Sequence, residues 1–233
     1  MRRSSSSRSR AGRFAPTTHP RSGSTTTSST RATSFNPENT LATMPHDHPR
    51  TEIDTPRLTL LAFTPGQLLA LIEQPDRFEE IAALTPADGL RGFYVSGEVS
   101  PVWLESLRTA AGQGGGPNPW RHGFFIIEKE SGEIVGSAGF KGAPDDAGMV
   151  EIAYGVVPSR EGRGYATEAA RALIHFASND ARVRTIRAHT RPEANASTRV
   201  LTKCGFVHIG PVVDPEDGPV WRWERSAQHI GTP

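Results

Sequence analysis

The segment at residues 156–170 (VVPSREGRGYATEAA) constrains the fold more than any other part of the chain. Two valines end a strand, a short loop with two glycines follows, and alanines at helical spacing then begin a helix. Gly162 and Gly164 permit a tight turn and let a ligand approach the backbone without meeting a Cβ atom. The first N–H groups of a helix have no partner within it, and the helix dipole favours an anion there. The segment therefore predicts a strand–loop–helix unit that binds a phosphate or pyrophosphate.

The glycine spacing excludes two common nucleotide-binding motifs. A P-loop needs Lys and then Ser or Thr after its last glycine, whereas Gly164 is followed by Tyr165 and Ala166. A dinucleotide fingerprint needs a longer glycine spacing and a strand that opens a βαβ unit, but this strand comes late in the chain. Arg160 and Arg163 add positive charge beside the loop. A Gly-x-Gly turn alone is also common as a purely structural feature.

Hydrophobic periodicity predicts a regular order of strands and helices from residue 57 onward. A strand at 57–63 leads to a helix that Thr64 caps and Pro65 begins, because both residues suit a helix start. The other predicted helices lie at about 100–111, 163–179 and 197–203, and the other strands at 122–129, 134–140, 149–157, 185–190, 206–213 and 220–224. This order predicts an α+β (mixed α/β) domain built on a single layered sheet.

The first 50 residues differ from the rest of the chain in composition. Residues 1–43 hold seven Arg and one acid, whereas residues 44–233 hold 19 basic and 24 acidic residues. A segment of Ser, Thr, Arg and Pro has little to bury, so it cannot offset its ordering entropy. We therefore predict a disordered tail at 1–50, one domain at 51–226 and a short tail at 227–233. The first tail could be a solvated arm, a transit peptide, or an artefact of a start codon upstream of Met44.

Composition also narrows the class of protein. Cys204 is the only cysteine, so an intrachain disulfide and a cysteine-based zinc site are excluded, and we expect no metal. No apolar run approaches the ~18 residues of a membrane span, and no secretory signal is evident. We expect a cytoplasmic protein, as a monomer or a homodimer. The acidic domain does not favour nucleic-acid binding, which only the basic tail could support.

Three segments in the same order resemble one family. Residues 157–169 resemble the acetyl-CoA signature of the GNAT superfamily of N-acetyltransferases, Gln/Arg-x-x-Gly-x-Gly/Ala. The segments TPRLTL at 55–60 and NASTRVLTKCGF at 195–206 are similar to the branch that contains the RimJ/RimL-type ribosomal-protein-alanine acetyltransferases. The chain departs from the signature at Glu161, where Gln or Arg is usual. The resemblance implies a single GNAT-like domain with a central, twisted, mostly antiparallel sheet flanked by helices.

The resemblance also implies a reaction and a co-substrate. The reaction would move the acetyl group of acetyl-CoA to a primary amine, of a protein N-terminus or a small molecule, by direct attack in a ternary complex. A non-catalytic acyl-CoA-binding module is the alternative. The residues that the resemblance assigns to the coenzyme are Val156, Val157, Arg160, Gly162, Arg163, Gly164, Tyr165, Ala166, Thr167 and Asn195.

Two residues are candidates for catalysis. Glu151 is the only acid in an otherwise apolar strand, and an acid beside a cleft would have a raised pKa and could serve as base. It could equally be a Glu on a solvated strand face. Ser197 precedes a short helix and could lie near the departing thiolate, although Ser197 or Asn195 could also simply cap that helix. Leu201 occupies the place where many relatives have a tyrosine acid, for which Tyr165 and Cys204 are possible substitutes.

Overall fold

The computed structural model describes residues 52–95, 101–215 and 217–227. The tails predicted at 1–50 and 227–233 lie outside these residues, apart from Ala227. The described elements, in chain order, are β1 (Glu52–Asp54), β2 (Leu58–Ala62), α1 (Pro65–Glu73), α2 (Phe78–Ala82), β3 (Thr85–Pro86), α3 (Gly92–Val95), α4 (Pro101–Gly112), β4 (Phe124–Glu128), β5 (Glu133–Phe140), β6 (Met149–Val156), α5 (Tyr165–Ser178), β7 (Thr185–Thr190), α6 (Ala196–Lys203), β8 (Val207–Asp214) and β9 (Gly218–Ser226).

The strands form one sheet in the order β1-β2-β4-β5-β6-β7-β9-β8, with β3 pairing beside β5. Two pairs, β3–β5 and β6–β7, are parallel, and the other pairs are antiparallel. Seven consecutive residues of β5, from Ile134 to Phe140, are buried. A strand buried on both faces needs cover on both sides of the sheet. The predicted mixed α/β class with a mostly antiparallel sheet is therefore confirmed.

Local sequence explains where the main elements begin and turn. Thr64 caps α1 through a capping box with Gln67, and Pro65 occupies the first helical turn, as predicted. Gly132 turns the chain between β4 and β5 with a φ of +74°, where an L-residue would be strained. The centre of the domain is a group of phenylalanines, of which Phe63 and Phe125 lie 4.4 Å apart between ring centroids.

The sequence analysis missed the shortest elements, which are β1, α2, β3 and α3. β3 has two residues, and it exists because Thr85 pairs with Glu133, almost 50 positions later. No periodicity can be read from so few residues. α3 is also short, yet it matters to the site, since a Cβ atom on Gly155 of β6 would lie 3.5 Å from the Phe93 ring.

Candidate functional site

β6 and β7 separate after three residues of parallel pairing. The register runs from Met149 opposite Thr185 to Glu151 opposite Arg187 and then stops. Beyond that point β6 continues to pair with β5 as far as Val156, while β7 pairs with β9 as far as Thr190. The end of β6 is therefore separated from β7. The wedge between the two strands leaves one edge of β6 without a strand partner.

The loop before α5 presents a row of unused amides. Gly162 and Gly164 both have positive φ, +77° and +85°, and Gly164 is the N-cap of α5 without a side-chain cap. The first backbone bond of the helix runs from the Glu168 N–H to the Gly164 carbonyl. Within the described ranges, the N–H groups of residues 162–167 donate no hydrogen bond. Such a helix start is suited to an anion.

A cleft of about 540 Å³ lies between this loop and α6. Arg199 and Lys203 line it from one face of α6, since residues four positions apart lie one helical turn apart. Neither side chain forms an ion pair within the described part of the chain. Seven of the residues that the resemblance assigns to the coenzyme line the same cleft, and so does Glu161; the seven are Val156, Arg160, Gly162, Gly164, Tyr165, Ala166 and Thr167. The sequence analysis missed the two cations of α6.

A buried carboxylate lies beneath the loop. Glu128 of β4 is 3 % exposed and accepts hydrogen bonds from the Tyr165 hydroxyl and, at 2.8 Å, from Ser131. The hydrogen bond from Tyr165 is the main reason that the pKa of Glu128 lies below its usual value. Glu128 also lies 3.5 Å from Arg163 and 3.6 Å from Arg160. It therefore offsets part of the positive charge that the sequence predicts for this loop.

The resemblance assigns Arg160 and Tyr165 to the coenzyme, but in the structure both side chains contact carboxylates. Arg160 donates to Glu133 as well as lying beside Glu128, so two carboxylates compete with an anion for it. The Tyr165 hydroxyl donates to Glu128, which raises the phenol pKa. A hydroxyl held in this way is a poor substitute for a general acid. Arg163 is half-exposed and adjoins the amides of the loop.

The start of α5 is tied to the turn between β1 and β2. Glu168 accepts hydrogen bonds from the Thr55 hydroxyl at 2.7 Å and from the Arg57 side chain at 2.8 Å. Arg57 also donates to the Arg163 carbonyl at 2.8 Å, and its guanidinium lies 4.9 Å from the centre of the Tyr165 ring. Two of the three resembling segments are therefore joined by direct contacts.

Glu151 lies on β6 at the start of the wedge, in contact with two basic side chains. Its Oε1 is 2.8 Å from the Lys141 Nζ and 3.1 Å from the His189 Nδ1. Burial raises the pKa of Glu151, but the hydrogen bond from His189 and the charge of Lys141 outweigh burial and lower it overall. The expectation of a raised pKa is wrong, because residues distant in sequence supply the compensating charge. The alternative of a solvated Glu is also wrong, since the side chain is 13 % exposed.

Glu151 and Ser197 line one small cavity at the wedge, with a volume of about 10 Å³. His189 and Tyr154 line it too, and within the described part of the chain the His189 Nε2 and the Tyr154 hydroxyl are buried without a hydrogen-bond partner. The sequence analysis did not single out Lys141, His189 or Tyr154. The position of Glu151 between two apolar residues indicated a functional acid, but no local pattern indicated its partners Lys141 and His189.

The remaining candidates have structural roles. The Asn195 side chain caps α6 by accepting from the Thr198 N–H at 3.0 Å, which confirms the capping prediction. Val157 is buried and donates from its N–H to the Val135 carbonyl at 2.9 Å. Cys204 is buried in the core cluster.

Two features, a membrane-spanning helix and a metal-binding group, are absent from the described residues. No helix there is both long and apolar enough to span a membrane. No group of three or more His, Cys, Asp or Glu side chains there has the arrangement of a metal site.

Comparison with known proteins identifies relatives of this fold. Among solved structures, the ribosomal-protein-S5-alanine acetyltransferase of Vibrio fischeri superposes with a TM-score of 0.52 at 13 % identity, covering 78 % of this chain and 99 % of the other. A spermidine N-acetyltransferase SpeG chimera from Vibrio cholerae and hSSAT gives 0.51 at 17 % identity, covering 73 % and 96 %. At these identities the likeness shows the fold alone.

Sequence comparison reaches the family. The uncharacterized N-acetyltransferase YjdG of Bacillus subtilis is 38 % identical over 84 residues, which are 36 % of this chain and 50 % of YjdG. The chain spans about half the length of the curated relatives that it matches. The family model described as "Acetyltransferase (GNAT) domain" matches residues 57–207. These residues contain the wedge between β6 and β7, the loop before α5, and α6. The chain therefore belongs to the GNAT acetyltransferase family.

Proposed function

We propose that this protein is an acetyl-CoA-dependent N-acetyltransferase that acetylates a primary amine. One observation carries the proposal: α6 borders both the anion-binding cleft and the cavity that contains Glu151. Arg199 and Lys203 face the cleft, whereas Ser197 and Leu201 face the cavity. A ligand with a pyrophosphate at one end and a reactive group at the other would fit such an arrangement.

The residues present fit coenzyme A. We assign its pyrophosphate to the amides of residues 162–167, because unused N–H groups at a helix start favour an anion. Arg199 and Lys203 would balance its charge and offset Glu161. The open edge of β6 up to Val156 offers backbone groups to the pantetheine arm. Acetyl-CoA supplies an activated acyl group, and the chain supplies its position.

The cavity supplies the groups that amine acylation needs. An amine must lose a proton to become acylated, so a base is needed, and the leaving thiolate benefits from a donor. Glu151 with its partners lies at the start of the wedge, and the Ser197 hydroxyl lines the same cavity. We place proton acceptance at the Glu151 group and assign Ser197 to the departing thiolate. The attack is direct, in a ternary complex.

The acceptor is either a protein N-terminus or a small-molecule amine. The two similar structures are named for different acceptors, ribosomal protein S5 alanine and spermidine, and their TM-scores of 0.52 and 0.51 do not distinguish them. A non-catalytic acyl-CoA-binding module is the competing function. The contacts of Glu151 with Lys141 and His189 favour the enzyme, because a module that only binds acyl-CoA has no need of a buried Glu–His–Lys group at this point.

Thiol release from acetyl-CoA, measured with a panel of peptides, amino acids and polyamines, tests the enzyme proposal. We expect turnover with at least one amine and a loss of roughly 10²-fold or more for Glu151→Gln, the usual scale for general acid–base groups. Tight coenzyme binding without turnover on any amine would favour the binding module instead.

The site of the coenzyme is tested by Gly164→Val. The new Cβ would lie 3.3 Å from the Arg57 Nη2, at a φ of +85° that β-branched residues avoid. We expect the Kd for coenzyme A, measured by calorimetry, to rise at least tenfold. Gly114→Val is the matched control, because Gly114 has a φ of +68° with open space around it, far from the cleft. Equal affinities in the two variants would refute the assigned site.

A further inference from the structure

His189 lies in the cavity and has a ring nitrogen that the proposed roles leave unexplained. Its side chain is 8 % exposed, its Nδ1 contacts the Glu151 Oε1 at 3.1 Å, and its Nε2 is buried without a hydrogen-bond partner among the described residues. Buried polar atoms in folded proteins nearly always have a hydrogen-bond partner. An orphan nitrogen beside a candidate reaction site therefore calls for a ligand or a function.

The contact with Glu151 fixes the state of the imidazole ring. Glu151 is held ionised by Lys141 and His189, and an ionised carboxylate can only accept hydrogen bonds. The Nδ1 must therefore carry the hydrogen in this contact. In the neutral ring the Nε2 then has a free lone pair, which makes it a proton acceptor. The orphan atom is thus the basic nitrogen of a histidine that a carboxylate orients.

Glu151 is the weaker base of the two. The single atom Oε1 receives both the Lys141 ammonium at 2.8 Å and the His189 Nδ1 at 3.1 Å. Each of these contacts stabilises the charged carboxylate and opposes its protonation. His189 has the opposite arrangement, because the neighbouring carboxylate stabilises the imidazolium that proton uptake would create.

We propose that the His189 Nε2, and not Glu151, takes the proton from the acceptor amine, with Glu151 as the positioning residue. The inference rests on the proposed acetyl transfer. The amine nitrogen forms a bond to the acetyl carbon, the carbon–sulfur bond breaks, and coenzyme A leaves as its thiolate. The proton lost by nitrogen goes to Nε2, and the imidazolium returns it to the thiolate through Ser197 or solvent.

Charged groups face His189 from every strand packed around it. Asp214 on β8 approaches its Nδ1 to 4.0 Å, and Asp217 lies 3.9 Å from Lys141. Arg222 on β9 is its partner in the strand register, while Arg187 of its own strand pairs with Glu224 at 2.7 Å. The Arg187–Glu224 pair is neutral as a whole. The other charged groups around His189 are three carboxylates and two cations, namely Glu151, Asp214 and Asp217 with Lys141 and Arg222. The charged groups around His189 therefore carry one net negative charge.

Steady-state kinetics of the full chain with His189→Gln provide the test. Glutamine retains a donor for Glu151 but has no basic nitrogen. We expect kcat/KM for the amine to fall by about 10²–10⁴ with little change in KM for acetyl-CoA. His175→Gln is the control, because His175 is exposed on α5 and contacts Asn179.

Each outcome bears on the proposal. An unchanged kcat/KM in His189→Gln would overturn it, leaving Glu151 as the base. If the thermal melt shows that His189→Gln is unfolded, His189→Ala with added imidazole replaces it. A rate restored by imidazole supports the proposal, whereas equal rates with and without imidazole count against it. Absence of turnover in the wild type itself would instead reject the acetyltransferase function.

Discussion

The ion pair between Lys141 and Glu151 keeps both side chains of the candidate site in their charged forms. The two side chains are 14 % and 13 % exposed, and their Nζ and Oε1 atoms lie 2.8 Å apart. Burial lowers the pKa of Lys141, but the charge of Glu151 outweighs it and raises that pKa overall. The pair is thus kept charged on both sides although it is removed from most of the solvent.

Lys141→Met should leave Glu151 buried with only His189 as a close partner. We expect the free energy of unfolding at pH 7 to fall by roughly 3 kcal/mol, the scale of breaking a buried pair. Because the folded-state pKa of Glu151 is lowered, its stabilisation is present above its usual value of 4.5 and is lost as the pH falls through the folded-state value. The loss in Lys141→Met should therefore be smaller at pH 4, which urea unfolding at both pH values would reveal.

The control for this loss is Lys129→Met. Lys129 pairs with Asp54 at the same distance of 2.8 Å, but the two side chains are 41 % and 69 % exposed. Exposed pairs contribute about 0–1 kcal/mol. A loss in Lys141→Met no greater than in Lys129→Met, or independent of pH, would contradict the stabilising role of the buried pair.

Single residues could be predicted where their chemistry is local. Asn195 as a cap and Gly164 as a positive-φ position follow from neighbours within a few residues. The pKa of Glu151 could not be predicted, because Lys141 comes from the end of β5 and His189 from β7. A pKa depends on distances in space, and the strand register that sets these distances is not readable from one sequence.

At the scale of elements, the turn before β2 holds the start of α5 in place. The Arg57 side chain donates hydrogen bonds to both Glu168 and the Arg163 carbonyl, so it connects the first turn of α5 to the loop before that helix. A helix start that binds an anion must be held in position, since its amides act together. The geometry of the loop therefore depends on a contact with a residue more than 100 positions away in sequence.

Arg57→Lys should weaken this attachment, because lysine cannot reproduce the forked guanidinium contacts. We expect KM for acetyl-CoA to rise about three- to tenfold while kcat changes little, since the cavity of Glu151 lies elsewhere. Arg108→Lys is the control: Arg108 has a similar exposure of 48 % and pairs with Glu73, between α4 and α1. Steady-state kinetics that show the same KM in both variants would contradict the proposed attachment.

Elements of five or more residues could largely be predicted, and shorter ones could not. β7 at Thr185–Thr190 agrees with its predicted bounds, because alternation over six residues is readable. The separation of β6 from β7 could not be predicted from the residues of β6, since they are equally compatible with an ordinary core strand. The cations of α6 were missed because their role depends on which way that helix faces.

At the scale of the whole molecule, the described domain contains every part of the proposed site. The sheet begins at Glu52, and its last strand ends at Ser226. Residues 44–233 carry five more acidic than basic residues, whereas residues 1–43 carry six more basic than acidic. Catalysis and any affinity for polyanions should therefore belong to different parts of the chain.

Deletion of residues 1–50 separates these two properties. We expect the shortened chain to melt within about 2 °C of the full chain and to keep its kcat/KM for a small amine, because no proposed site residue is removed. Binding of a single-stranded RNA probe, if the full chain shows it, should weaken steeply with salt and disappear on deletion, because the eight arginines of the deleted segment are the source of the positive charge. RNA binding that survives deletion would instead place a nucleic-acid surface on the acidic domain, and a lower melting temperature would extend the domain into residues 1–50.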